Sequence, residues 1–215
     1  MTRAAWSCVL LIGLAGCTPQ RGPFTYEHPP SHAGHRWPIA AYRPIVDARR
    51  DHSIDRVYDG SPAAALSDVL GEELSGAGLF GFAMAQPDAT TPEELRHRGI
   101  GLLVEPTLKV LEWDVPDYDE IRQNLLLWSL ATFGIGGFVY GGGTTDVHGR
   151  TVLVVRLTDV AAGSVPLERR YEGKSVETRT KLNCDTGATR RAVVEGSAKA
   201  AMRQLVADLQ SLAAR

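Results

Sequence analysis

The sequence predicts an α+β domain: a single mixed β-sheet with helices packed mainly on one face and a long helix at the C-terminus. Thr151 to Val160 (TVLVVRLTDV) is a β-branched, largely apolar run. Ala161-Ala162-Gly163-Ser164 then turns it into a second extended run from Val165 to Val176. From Ala188 to Ala213, residues Val193, Val194, Ala198, Ala201, Met202, Leu205, Val206 and Leu209 recur at helical spacing and draw one apolar stripe. Upstream, short apolar runs alternate with amphipathic segments in the order strand, helix, strand, short helix, strand, insert, hairpin, long helix. Helices laid on one face of a mixed sheet satisfy that order most simply.

The first strand is Ile39 to Arg49 (IAAYRPIVDAR), where Pro44 marks an edge position or a break. Asp59-Gly60 signals a turn, and Ser61-Pro62 supplies an N-cap with proline at the first helical position. Ala65, Leu66, Val69, Leu70, Leu74 and Ala77 continue that helix, and Gly76 and Gly78 stop it. Leu79 to Ala85 alternates large and small residues as a short strand does. Thr91-Pro92-Glu93-Glu94 opens a short helix to Arg98 with two carboxylates facing its positive end, and Gly99 closes it. Ile100 to Val115 reads as a strand or a pair of strands interrupted at Pro106. Asp47 with Arg49 or Arg50 forms an expected surface ion pair at a strand end.

Ahead of this domain the chain reads as an export signal. Arg3 gives a positive start, Ala4 to Leu14 an apolar core, and Leu14-Ala15-Gly16-Cys17 a small-residue cleavage site. The run is shorter than the roughly 20 residues of a spanning helix. Its last four residues resemble the lipobox of bacterial lipoproteins. The resemblance implies removal of residues 1–16 and acylation of Cys17, hence a membrane partner through N-terminal lipid. Thr18, in the second position of the mature chain, then implies the outer membrane, with the domain on its periplasmic face. Multiple acyl chains, each contributing about 0.8 kcal/mol per buried methylene, make a stable anchor where one is marginal.

Thr18 to Arg36 is rich in proline, glycine and histidine with almost no aliphatic side chain, so residues 17–36 read as the lipidated cysteine and a tether. His28, His32 and His35 lack acidic or thiolate companions, and no metal or other cofactor is expected there. Residues 37–215 form one α/β domain. With Lys and Arg numbering 23 against 25 Asp and Glu, the net charge of −2 attracts no nucleic acid. Of three cysteines, Cys8 leaves with the signal and Cys17 carries lipid. Cys184 therefore has no internal disulfide partner and reads as a small buried apolar residue.

The pattern from 37 to 115, with the terminal hairpin and helix, resembles a group of bacterial envelope lipoproteins with a small sandwich domain. YajG-type lipoproteins, the penicillin-binding-protein activator LpoB and the curli secretion-channel subunit belong to it. The resemblance rests on Val46-Asp47-Ala48-Arg49, on Leu66, Leu70 and Leu74, on Gly78-Leu79-Phe80, and on Gly101-Leu102-Leu103-Val104-Glu105-Pro106-Thr107-Leu108. It implies a binding, scaffolding or pore-forming module.

The departure from that group is an uncharged insert at 123–145 (QNLLLWSLATFGIGGFVYGGGTT). Its first half extends a helix begun near Asp117, Asp119 and Glu120; its second half is glycine-rich, a poor helix interior. Two readings stand. In one, a core helix leads into a glycine-rich loop or strand covered by the sheet. In the other, Leu125, Leu126, Leu127, Trp128, Phe133, Ile135, Phe138, Val139 and Tyr140 project as an apolar hairpin that meets a bilayer or a partner protein. Leu125-Leu126-Leu127-Trp128 does not alternate, which argues against a barrel wall.

No catalytic constellation accompanies these features. Gly134 to Gly143 lacks the Lys-Ser or Lys-Thr of a phosphate loop. Asp146 and His148 share a strand face for ordinary reasons, and no Gly-x-Ser-x-Gly, His-Glu-x-x-His or Cys-His pairing joins them. The sequence thus predicts a non-enzymatic, lipid-anchored binding or assembly module that engages another envelope protein or itself. A homo-oligomeric secretion-channel or pore component is the alternative.

Overall fold

The computed structural model describes residues 37–58, 60–85, 91–160, 162–164 and 166–213. Cys17, the signal, the tether with its three histidines and Asp59 of the expected turn lie outside the described residues. The elements are β1 (Trp37–Tyr42), β2 (Val46–Asp47), a 3-10 turn (Ser53–Val57), α1 (Pro62–Gly76), β3 (Phe80–Ala85), α2 (Pro92–His97) and β4 (Leu102–Asp114). They continue with α3 (Tyr118–Ala131), α4 (Ile135–Gly141), β5 (Thr144–Asp159), β6 (Leu167–Thr180) and α5 (Gly187–Ala213). The sheet order is β3-β1-β4-β5-β6, with β2 also paired to β4. β1 runs parallel to β3 and β4, whereas β4, β5 and β6 form an antiparallel meander, so the sheet is mixed as expected.

Alternation along the strands sends side chains to two cores. Ala40, Leu102, Val104, Leu108, Leu153 and Val155 face α1 and α5, where Leu66, Leu70, Leu74, Val193, Met202 and Leu205 complete the main core. Ala41 and Leu103 point the other way and meet Leu95 of α2 with Ile100 and Val160 in a small satellite. The short helix is fixed by a capping box: Glu94 N donates to Thr91 Oγ1 at 3.3 Å and Thr91 N to Glu94 Oε2 at 3.0 Å.

Two expectations about the first half need correction. Pro106 does not interrupt β4, which runs unbroken from Leu102 to Asp114 with one irregularity between Leu108 and Val110. The break lies instead in the neighbouring strand. β1 ends opposite Val104 and β2 begins opposite Thr107, so the proline sits where the ladder has a gap and its missing N–H costs nothing.

The expected surface ion pair with Asp47, which stays exposed, is made by Arg49, and the arginine itself is buried. Its side chain is 1 % exposed, with Nε and Nη2 gripping both oxygens of Asp47 at 2.9 and 2.6 Å. Nη2 also reaches Asp55 Oδ1, on the 3-10 turn, at 2.8 Å. This clamp joins β2 to that turn, and the hydrogen bonds from Arg49 hold the Asp47 carboxyl below its ordinary value of 3.8. A carboxylate with a lowered folded pKa contributes stability that is complete above the unfolded value and lost as pH falls through the folded one. Arg49→Met is therefore expected to cost about 2 kcal/mol at neutral pH, both carboxylates being partly solvated. It should also flatten the decline in stability below about pH 4, measured by urea unfolding across the acid range.

α5 lies against β5 and β6 at backbone contact distance. Thr151 Oγ1 and Ser197 Oγ share a buried hydrogen bond at 2.7 Å, and Ser175 Oγ donates to the Val193 carbonyl. Gly149 and Gly173 floor the crossing. A Cβ at either would stand closer than 3.0 Å to α5 backbone, to Val193 O above the first and to Ser197 O and Ala201 N above the second. Toward the C-terminal end of α5, Tyr171 donates to Asp208 Oδ2 at 2.7 Å, and burial pushes its phenol pKa up.

Candidate functional site

The insert leaves the sheet between the end of β4 and the start of β5, which are partners in register (Asp114 opposite His148). It is an αα-hairpin: α3, a three-residue turn, and α4. The glycine-rich half is thus helical, contrary to the sequence expectation of a loop or strand. The reason is packing. A Cβ on Gly137 would fall inside contact distance of Ser129 Oγ and lie 3.4 Å from the Leu125 carbonyl, and one on Gly136 would lie 3.0 Å from the Trp128 carbonyl. Helix propensity penalises each glycine by about 1 kcal/mol, but a side chain here would have to displace Ser129 Oγ and crowd the Trp128 carbonyl, so glycine favours the close approach of α4 to α3.

Several polar groups of the turn are paired within the hairpin. Thr132 N donates to the Trp128 carbonyl at 3.2 Å, and Thr132 Oγ1 to the same oxygen at 2.6 Å. Gly134 N donates to Ser129 O at 2.7 Å, and Gly136 N to Thr132 Oγ1. Phe133 at the apex adopts φ 53° and Gly134 φ 96°. A left-handed phenylalanine costs free energy, and here it displays a ring that is 100 % exposed.

At its base the hairpin is bound to the β6–α5 connection. Ile121 is buried, and Tyr118, Leu125 and Tyr140 pack partly against the main core. Tyr118 Oη donates to Asp185, a bond that raises the phenol pKa. Asp185 in turn accepts from Arg190 Nε at 2.7 Å, and the Arg190 guanidinium stacks 4.3 Å from the Trp113 ring. Lys181 Nζ stands 4.0 Å from the Tyr140 ring centroid, Asn124 Nδ2 donates to Tyr140 Oη at 3.3 Å, and Leu182 N donates to Gly141 O at 3.2 Å.

Beyond that base the sequence-predicted contact residues divide in two. Leu125 and Tyr140 turn inward; Leu126, Leu127, Trp128, Phe133, Ile135, Phe138 and Val139 are all at least half exposed. Leu130, 79 % exposed, joins them and was absent from the sequence-derived set although it continues the same apolar run. Single exposed apolar residues are ordinary, but a contiguous group on an uncharged element marks an interaction surface. Together these eight give the projection an apolar exterior.

The remaining candidates stay apart. Asp146 accepts from Thr178 Oγ1 at 2.7 Å on the exposed side of the β5–β6 ladder. Cys184, 1 % exposed, donates its thiol hydrogen to Lys181 O at 3.1 Å, and burial pushes its pKa up. A raised pKa suppresses the thiolate form that nucleophilic chemistry needs. Among the described residues no group of three histidine, cysteine or acidic side chains is placed to hold a metal ion.

The chain shares the fold of protein XCC0632 from Xanthomonas campestris, with a TM-score of 0.51 at 11 % identity over 87 % of this chain and 92 % of that one. At such identity the likeness is one of fold. More distant similarity reaches the PelC dodecamer from Paraburkholderia phytofirmans, with TM-score 0.41, 13 % identity, and 86 % and 96 % of the two chains covered. It also reaches lipoprotein GNA1162 from Neisseria meningitidis, with TM-score 0.31, 12 % identity, and 82 % and 98 % covered. No family model matches the chain, and no curated protein matches it in sequence.

Proposed function

We propose that this protein is a lipid-anchored, non-catalytic module on the periplasmic face of the bacterial outer membrane, acylated at Cys17, whose α3–α4 hairpin makes its contact with the envelope. One observation carries the reading: eight large apolar side chains stand exposed on an element with no charged residue from 123 to 145. Left in water, such a surface invites aggregation; in its working state it is covered. The sheet and α5 act as a rigid mount, and the Tyr118–Asp185–Arg190 chain fixes the hairpin to it. The lipobox-like segment and residues 17–36 supply attachment and reach.

The test is coverage in the native envelope. The full-length protein carrying Leu130→Cys is reacted with a bulky, water-soluble maleimide in permeabilised cells, beside Val176→Cys, which reports an exposed position on β6. The cysteine at 130 is expected to react about tenfold more slowly than that at 176, the protection that a 1.4 kcal/mol bias toward the covered state provides. Equal rates would defeat the proposal.

A further inference from the structure

We infer that what covers the hairpin is the apolar boundary of a lipid bilayer, into which α3 and α4 dip their tip. The inference rests on the reading of the hairpin as the contact element, and four observations favour lipid over a protein groove.

The hairpin is packed inside out. Water-soluble helical hairpins place large apolar residues between the helices and polar ones outside. Here Gly136, Gly137, Ser129 and Thr132 form the seam, while leucine, tryptophan, phenylalanine, isoleucine and valine face outward. Small residues inside and large ones outside is how helices pair when the surroundings are hydrocarbon.

Exposure also runs around the projection. At about 100° per residue, Leu126, Leu127, Trp128 and Leu130 span more than half the circumference of α3, and Ile135, Phe138 and Val139 face away from it on α4. A groove on a partner or a second copy covers one face; a bilayer surrounds. Four N–H groups at the apex, those of Thr132, Gly134, Ile135 and Gly136, are paired within the hairpin through Trp128, Ser129 and Thr132, which lowers the cost of leaving water. Finally, charge begins only at the base, where Arg122 precedes the uncharged run and Lys181 lies over Tyr140, the arrangement by which basic and aromatic groups stay at the headgroup level.

Insertion is shallow. No helix among the described residues is long and apolar enough to cross a membrane. α3, with 14 residues, is about 21 Å long at 1.5 Å per residue, and its first turns stay at the base. Because Asp117, Asp119 and Glu120 also lie there, apolar area and not anionic-lipid attraction drives the contact. The membrane that carries the anchor is within reach. From Trp37, where β1 enters three residues before the level of Leu102, to the level of Asp114 is about 50 Å of strand. The segment 17–36 spans up to about 70 Å when extended.

The full-length acylated protein, labelled with an environment-sensitive fluorophore at Phe133→Cys or at Val176→Cys, is reconstituted into vesicles of phosphatidylethanolamine and phosphatidylglycerol. Spin-labelled phospholipid serves as quencher. Both positions are exposed, so neither substitution touches the core. The label at 133 is expected to shift its emission to the blue and to be quenched several-fold more than that at 176, with the difference surviving high salt. Equal quenching at the two positions would overturn the bilayer assignment. Protection of the Leu130→Cys thiol in cells without quenching in vesicles would likewise overturn it, leaving the hairpin as a protein-contact element. Loss of both results would remove the functional reading as well.

Discussion

Gly173→Val is expected to destabilise the domain by at least about 3 kcal/mol, a large share of the roughly 5–15 kcal/mol that holds a typical domain together. The cost comes from backbone meeting backbone. A Cβ at Gly173 would enter the space of Ser197 O and Ala201 N, neither of which can rotate away as a side-chain tip does. Relief requires lifting α5 off β6. That movement opens the contacts of Val194, Ala198, Ala201 and Leu205 with the sheet and stretches the buried Thr151–Ser197 hydrogen bond. For a chain of this size the loss corresponds to a fall in melting temperature of about 6–12 °C, read by thermal unfolding followed by circular dichroism. A melting temperature within a degree or two of the parent would show that α5 does not ride on these glycines. Gly60, at φ 96° with nothing within 4 Å of its notional Cβ, is a useful contrast: its constraint is conformational, and substitution there should cost only about 1 kcal/mol.

The same pair of strand glycines shows what the sequence did and did not disclose. Strands β4, β5 and β6 and helices α1, α2 and α5 were legible because period and punctuation agree: apolar stripes at helical spacing, β-branched runs, and the Thr91-Pro92-Glu93-Glu94 start that the capping box realises. A glycine in a strand announces close approach without saying what approaches, so the α5 crossing over Gly149 and Gly173 became visible only in three dimensions. Arg49 was misjudged for the same kind of reason. Its partner Asp47 is two residues away, but its burial depends on the 3-10 turn bringing Asp55 across. Pro106 was read from its own strand, whereas the gap that accommodates it belongs to β1 and β2. In the insert, composition marked the apolar run but left open whether the sheet covers it; of the residues named, seven are exposed, Leu125 and Tyr140 turn inward, and Leu130 was missed. Composition failed on α4 because single-residue propensity cannot register the contact that glycine permits between two helices.

That contact supports the second large effect expected. Gly137→Leu places a side chain where Ser129 Oγ already stands and should pry α4 from α3. The two helices pack chiefly on each other, and the core beneath them is closed by Ile121, Tyr118 and Val147. The melting temperature is therefore expected to stay within a few degrees of the parent, a change of no more than about 1 kcal/mol. Contact with the envelope should nevertheless collapse. A splayed hairpin exposes the seam hydroxyls and loses the bonds from Gly136 N to Thr132 Oγ1 and from Gly134 N to Ser129 O, and each unpaired polar group carried out of water costs on the order of several kcal/mol. In the maleimide experiment, the cysteine at 130 should then react at the rate of that at 176, erasing about tenfold protection. Gly137→Ala, with a single methyl, should fall between the two. A Gly137→Leu protein that stayed folded and fully protected would mean that exposed apolar area alone, without the closed glycine seam, suffices for the contact.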